Sequence, residues 1–120
     1  MVEKFKKIME NLIASKGQLY LFAILKMDEV IDKWTVIISA LWIQEDNMNE
    51  SFILISDTIV SYLSEEELSE VANVGVFLLE EHIVQDLLKY KAGTKITEDE
   101  RVNGNIVYKG YILASGKAER

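Results

Sequence analysis

Glu80, Glu81, His82 and Asp86 are the side chains whose types and spacing best suit chemistry. An imidazole titrates near neutrality, and carboxylates exchange protons or hold cations, so the group could serve as an acid/base pair or as part of a metal site. His82 and Asp86 stand at i, i+4, which would put them on one face of a helix. The chain has a single histidine and no cysteine, however, so a metal would find one nitrogen ligand and no sulfur. Carboxylates at a helix start are also what the macrodipole favours. No catalytic residue, metal ligand or cofactor is therefore assigned. An enzymatic reading is confined to Glu80, Glu81 and His82, and a small-ligand reading to a pocket formed by Trp42, Glu81 and His82 near the end of the third strand.

Other reaction classes lack their parts. Ser56-Asp57 and Ser61 have no glycine-bounded elbow and no second histidine to complete a nucleophilic triad. Gly75 and Gly104 are solitary, so no glycine-rich phosphate loop exists. Neither of the first two strands supplies the carboxylates and acid-x-lysine that nuclease chemistry on a sheet would use.

The elements that must position these residues emerge from patterning. Phe5, Ile8, Met9, Leu12 and Ile13 mark one face of a helix that Gly17 ends. Leu19 to Leu25 is continuously apolar and reads as a strand covered on both faces. Lys26 to Lys33 is expected to form the turn, and Trp34 to Ile43, rich in β-branched and aromatic residues, an antiparallel neighbour. Phe52, Ile55, Ile59, Tyr62 and Leu63 recur with helical period after the capping residues Asp46 and Asn47. Ser64-Glu65-Glu66-Glu67 has capping-box spacing and should open a short helix.

Val74 to Leu79 is expected to be a third buried strand, joined by a crossover and parallel to the second. Ile83, Val84, Leu87 and Leu88 form a helical stripe. Lys91 to Asn105 reads as exposed loop or edge, with Asn103-Gly104 the best hairpin turn. Ile106 to Tyr108 and Tyr111 to Ala114 make a last strand in which Gly110 permits close approach. The predicted class is α/β (α+β), in the order α-β-β-α-α-β-α-β-β: a mixed four- or five-stranded sheet packed with helices, one domain over 1–120, with 116–120 frayed.

Composition bounds the partners. The chain of 120 residues has no proline and a formal charge of −7. Its mean field repels phosphate backbones, so nucleic acid is not an expected ligand, and a more basic protein is the better electrostatic match. The acidic runs Glu65-Glu66-Glu67 with Glu70, and Glu98-Asp99-Glu100, could solvate a face or steer such a partner. Without cysteine, a signal segment or a long apolar run, the chain is expected to be cytoplasmic and not to engage membrane. The apolar last strand suggests a homo-oligomer built through Tyr108, Tyr111 and Ile112.

At Asp32-Lys33-Trp34, Ser39-Ala40-Leu41-Trp42-Ile43, Leu63-Ser64-Glu65-Glu66-Glu67-Leu68 and Tyr111-Ile112-Leu113-Ala114-Ser115 the chain resembles a group of small uncharacterised prokaryotic α/β proteins. Some of these are regarded as antitoxin-like halves of two-component systems. The resemblance implies an interaction protein and carries over no site residue.

Overall fold

The computed structural model describes residues 1–116. Helix α1 (Val2–Lys16) buries Phe5, Ile8 and Leu12, and the amide of Gly17, at φ 115°, donates to the Ile13 carbonyl at its end. Strand β1 (Leu19–Met27) is buried along almost its whole length. That pattern comes from pairing on both sides, with β2 (Val30–Ala40) and with β6 (Asn105–Ser115).

The turn between β1 and β2 is shorter than the sequence suggests. It consists of Asp28 and Glu29, and β2 begins at Val30. Residues 31–33 belong to β2 but fall in an irregularity of its register with β1, between Val30 and Thr35, and are exposed to solvent. Asp32 takes a positive φ of 65°, and its amide donates to the Tyr108 hydroxyl at 2.7 Å. The strand stops at Ala40, which leaves Leu41 and Trp42 in a turn and not in the strand.

A 3₁₀ turn (Glu45–Asn47) leads into α2 (Met48–Tyr62), which buries Ser51, Ile55 and Ile59. The expected capping box opens α3 (Glu65–Leu68): the Glu67 amide donates to Ser64 Oγ, and the Ser64 amide donates to Glu67 Oε1. Strand β3 (Val71–Val76) is parallel to β2, as the crossover requires, but it starts and ends three residues before the expected span Val74–Leu79 and is only half-buried. The partial burial follows from its place at the edge of the sheet, where only one of its sides is paired, and the span is set by its register with Trp34 to Ile38 of β2.

Helix α4 (His82–Leu87) carries Val84 and Leu87 inward. Two short strands, β4 (Lys95–Ile96) and β5 (Glu100–Val102), then pair with β6. Among the described residues the sheet therefore has six strands, in the order β3-β2-β1-β6-β4 with β5 also on β6, and all its pairs but β2–β3 are antiparallel. The β5–β6 turn is Asn103-Gly104, both at positive φ (49° and 84°), as its dipeptide signals.

The segment read as exposed loop is fastened at several points. Asn103 donates its amide to Asp86 Oδ2 (2.6 Å), and the Tyr90 hydroxyl donates to Glu100 (2.9 Å). Burial, reinforced by the Glu100 carboxylate, pushes the Tyr90 hydroxyl up to about 12. At the other end of β6, Gly116 donates to the Tyr20 carbonyl at 2.9 Å, so pairing continues into the start of the expected frayed tail. The rest of that tail lies outside the described residues.

Two apolar clusters flank the sheet. One joins α1 and α2 to Phe22, Ile24, Val36 and Ile38. The other joins α4 and the short strands to Leu21, Leu25, Ile37 and Ile112. Among the described residues no helix is long and apolar enough to cross a membrane.

An ion pair ties the first cluster's helices to α3. Lys4 Nζ lies 2.7 Å from Glu67 Oε1, the oxygen that also accepts from Ser64. The Lys4 ammonium, then the Ser64 amide, lowers the Glu67 carboxyl from 4.5 to about 2. Because this value is depressed in the folded state, the contribution to stability is present above the ordinary carboxylate value and is lost as pH falls from 4.5 toward about 2. Denaturant titrations of the wild type and Glu67→Gln should therefore differ by a constant amount at neutral pH. The gap should close over that acid range, and a gap independent of pH would contradict the pairing.

Candidate functional site

The parallel pairing of β2 with β3 brings their C-terminal ends to one edge of the sheet. Antiparallel β1 adds its first residues there, since Leu19 pairs with Ala40. Two loops emerge side by side, and both are held by hydrogen bonds.

In the first loop, Ile43 is buried and its amide donates to the Ala40 carbonyl. Asn47 anchors the remainder of that loop. Its Oδ1 accepts from the Gln44 amide (2.8 Å) and Ser51 Oγ (3.2 Å), and its Nδ2 donates to the Trp42 carbonyl (3.0 Å). In the second loop the Phe77 amide donates to the Ile38 carbonyl (2.9 Å), and Gln85 Nε2 donates to the Leu79 carbonyl (2.7 Å).

Between the loops lie two adjoining open depressions of about 590 and 560 Å³, which share Glu45, Leu78 and Glu80 as walls. Asp46 completes the acidic side of the first, and Glu81 and His82 that of the second. All four carboxylates are exposed, and among the described residues neither depression is lined by a lysine or arginine. The ion pairs among the described residues, Lys4–Glu67 and Lys89–Asp86, lie elsewhere. Glu45 and Asp46 open the 3₁₀ turn and Glu81 caps α4, so local dipoles help to place them. The result is an acidic end of the sheet.

The opposite, hairpin end has cations. Lys26 and Lys109 face each other directly across β1 and β6, and both lie over the Trp34 ring, at 4.9 and 5.9 Å from its centroid. That end also carries the exposed carboxylates of Asp28, Glu29 and Asp32, so acids and cations are mixed there.

The sequence-derived site residues are only partly brought together. Glu80, Glu81 and His82 line one depression, but no hydrogen bond links His82 to Glu80, Glu81 or Asp86 among the described residues. Asp86 instead accepts from Asn103 and pairs with Lys89 at 3.3 Å. No group of three or more His, Asp or Glu side chains able to hold a metal occurs among the described residues.

Trp42 does not join Glu81 and His82. Because β2 ends at Ala40, the turn sends Trp42 toward the end of α1, where it lines a separate depression of about 330 Å³ with Lys16, Gly17 and Gln18. Its Nε1 is buried and has no hydrogen-bond partner among the described residues.

The residues expected to form an interface are used within the fold. Strand β6 lies between β1 and the β4 and β5 strands, so it is not the edge through which pairing was expected. Ile112 is fully buried, and its amide donates to the Thr94 carbonyl. Tyr111 packs against Trp34 at 6.0 Å, and Tyr108 holds the Asp32 amide. Glu45 and Asp46 are the site residues that sequence reasoning missed. The signal was available in the expected parallel pair, which must bring both succeeding loops to the same edge.

Compared with known protein families, curated proteins and solved structures, the chain matches none.

Proposed function

We propose that this chain is a non-enzymatic protein-interaction domain whose partner is a more basic protein. In its most specific form it is an antitoxin-like neutraliser of that partner. The observation that carries the reading is the acidic end of the sheet: Glu45, Asp46, Glu80 and Glu81 around joined depressions that, among the described residues, no lysine or arginine lines. The net charge of −7 has the same sign, so long-range steering and local contact would favour the same class of partner.

The test is capture from the native host followed by titration of the identified partner at rising salt. Binding should weaken steeply with ionic strength. Replacing Glu45, Asp46, Glu80 and Glu81 together by their amides should weaken it about tenfold or more, since close charge pairs at interfaces contribute about 1.5 kcal/mol upward. An acidic partner, or one whose affinity ignores both salt and these four substitutions, would defeat the proposal.

A second reading, a small-ligand sensor, is favoured by the size of the depressions, which lie in the range of ligand pockets. A metabolite screen by thermal shift separates the two, because a ligand at a hundredfold excess over its Kd adds about 2.7 kcal/mol.

A further inference from the structure

We propose that the free edge of β3 accepts an extended, basic segment of the partner protein as an added strand. This rests on the interaction-domain reading above and gives it a docking surface and a partner conformation. Strand β3 ends the sheet, and among the described residues no strand pairs with its outer side. No backbone or side-chain hydrogen bond reaches that side either.

The pairing geometry says which groups are free. The Phe77 amide donates to Ile38 on β2, and Gly75 stands opposite Ile37. In a parallel ladder successive residues turn their backbone groups alternately to the two sides, so Val74 and Val76 direct their N–H and C=O groups away from β2. Four hydrogen-bonding groups are offered along the edge.

Natural sheet edges are guarded by charge, proline or irregularity. Val71-Ala72-Asn73-Val74-Gly75-Val76 contains neither charge nor proline. Its one irregularity lies at the N-terminal end, opposite Trp34 and Thr35, and leaves Asn73 to Val76 in regular register. Gly75, the residue that would weaken a strand, is covered by the Phe77 ring: a Cβ there would fall 2.5 Å from Phe77 Cε2. From Asn73 to Val76 the edge therefore carries none of these guards.

Charge selects the occupant. Exposed Glu66 and Glu70 precede β3, and exposed Glu80 and Glu81 come after it. Lys33, the cation beside the first pair, is engaged with the Ser69 carbonyl at 2.7 Å. A second copy laid antiparallel would set the Glu70 end of one chain against the Glu80-Glu81 end of the other, on molecules that each carry −7. A partner segment with apolar or β-branched residues in its middle and cations at its ends meets no such repulsion. Strand addition of this kind draws affinity from main-chain hydrogen bonds and specificity from side chains.

The experiment uses the whole chain, isotope-labelled, and a ten-residue probe peptide of alternating valine and threonine with two lysines at each end. On titration, the amide signals of Val74 and Val76 should shift and their hydrogen exchange should slow. The same peptide N-methylated at alternate central residues loses main-chain donors and should bind about tenfold or more weakly, as should a glutamate-ended version. Val76→Pro removes an outward donor without removing a bond to β2, and should reduce binding similarly. If that variant does not fold, the N-methylated peptide decides the question.

Equal binding of the parent and N-methylated peptides overturns the edge proposal. So do shifts confined to Glu45, Asp46 and Glu80 to His82, although that result leaves the basic-partner reading standing. No binding of the lysine-ended peptide at all defeats both. A dimer in sedimentation that Val76→Pro dissolves would make a second copy the occupant and overturn the assignment to a basic partner.

Discussion

Phe22→Ala is expected to lower the unfolding free energy by about 3–5 kcal/mol, the range for removing a fully buried phenylalanine ring. The residue stands in the central strand, opposite Ile38 on one side and Ala114 on the other. Its ring meets that of Phe5 edge-on, at 6.2 Å and 82°, which makes the pair one of the contacts that join α1 to the sheet. Neither ring has any exposed surface, and close neighbours on all sides leave the cavity little room to collapse. A domain of this size has about 5–15 kcal/mol of total stability, so the loss would be a large fraction of it.

Urea titration should show a lower midpoint with an unchanged slope. The double variant with Phe5→Ala should lose less than the sum of the two single losses, by about 0.5–1.5 kcal/mol for the aromatic pair. A loss below about 1 kcal/mol for Phe22→Ala, or strict additivity, would mean that α1 does not pack on the sheet through this pair.

Gly110→Val is expected to cost about 3 kcal/mol by the opposite route, overpacking. Gly110 pairs with Leu25, and a Cβ added to it would lie 2.7 Å from Leu25 Cδ2 and 3.2 Å from the Ile24 carbonyl oxygen. The leucine is fully buried, and the carbonyl belongs to the central strand. Gly110→Ala should cost less, about 1–2 kcal/mol, because a single methyl asks for a smaller displacement. Combining it with Leu25→Val should recover part of that loss, since the shorter side chain vacates the clashing position. If the two substitutions simply add, the close approach is not what holds this position to glycine.

Much of this architecture can be read from local patterns. The stripe of Phe5, Ile8 and Leu12, the Ser64–Glu67 box and the Asn103-Gly104 turn each express a short-range rule, and each forms where that rule predicts. Strand limits were less legible. Val30 to Lys33 looks like a turn because Asp32 and Lys33 are charged, although the strand includes them and Val30 pairs with Met27 beyond an irregularity. Strands β4 and β5 each have one buried residue, Ile96 and Val102, in otherwise polar surroundings, too little alternation to distinguish them from loop.

Strand order was not legible at all. An apolar last strand suits the middle of a sheet as well as its edge, and only the β1–β6 pairing decides between them. The candidate site shows the same division. Glu80, Glu81 and His82 are legible from their place after a strand, whereas Glu45 and Asp46 join them through a tertiary pairing, and Trp42 leaves them because β2 ends two residues before it.

The interior place of β6 also bears on how the molecule can be made. Strand β1 has its second partner in a segment near the other end of the described chain, with Leu21 opposite Ser115. During synthesis, α1, β1 and β2 leave the ribosome long before Asn105 does, and until then one side of the most apolar strand has no neighbour. A nascent or truncated chain that lacks β6 therefore presents an unguarded apolar edge, the species most in need of a chaperone and the one most prone to aggregate.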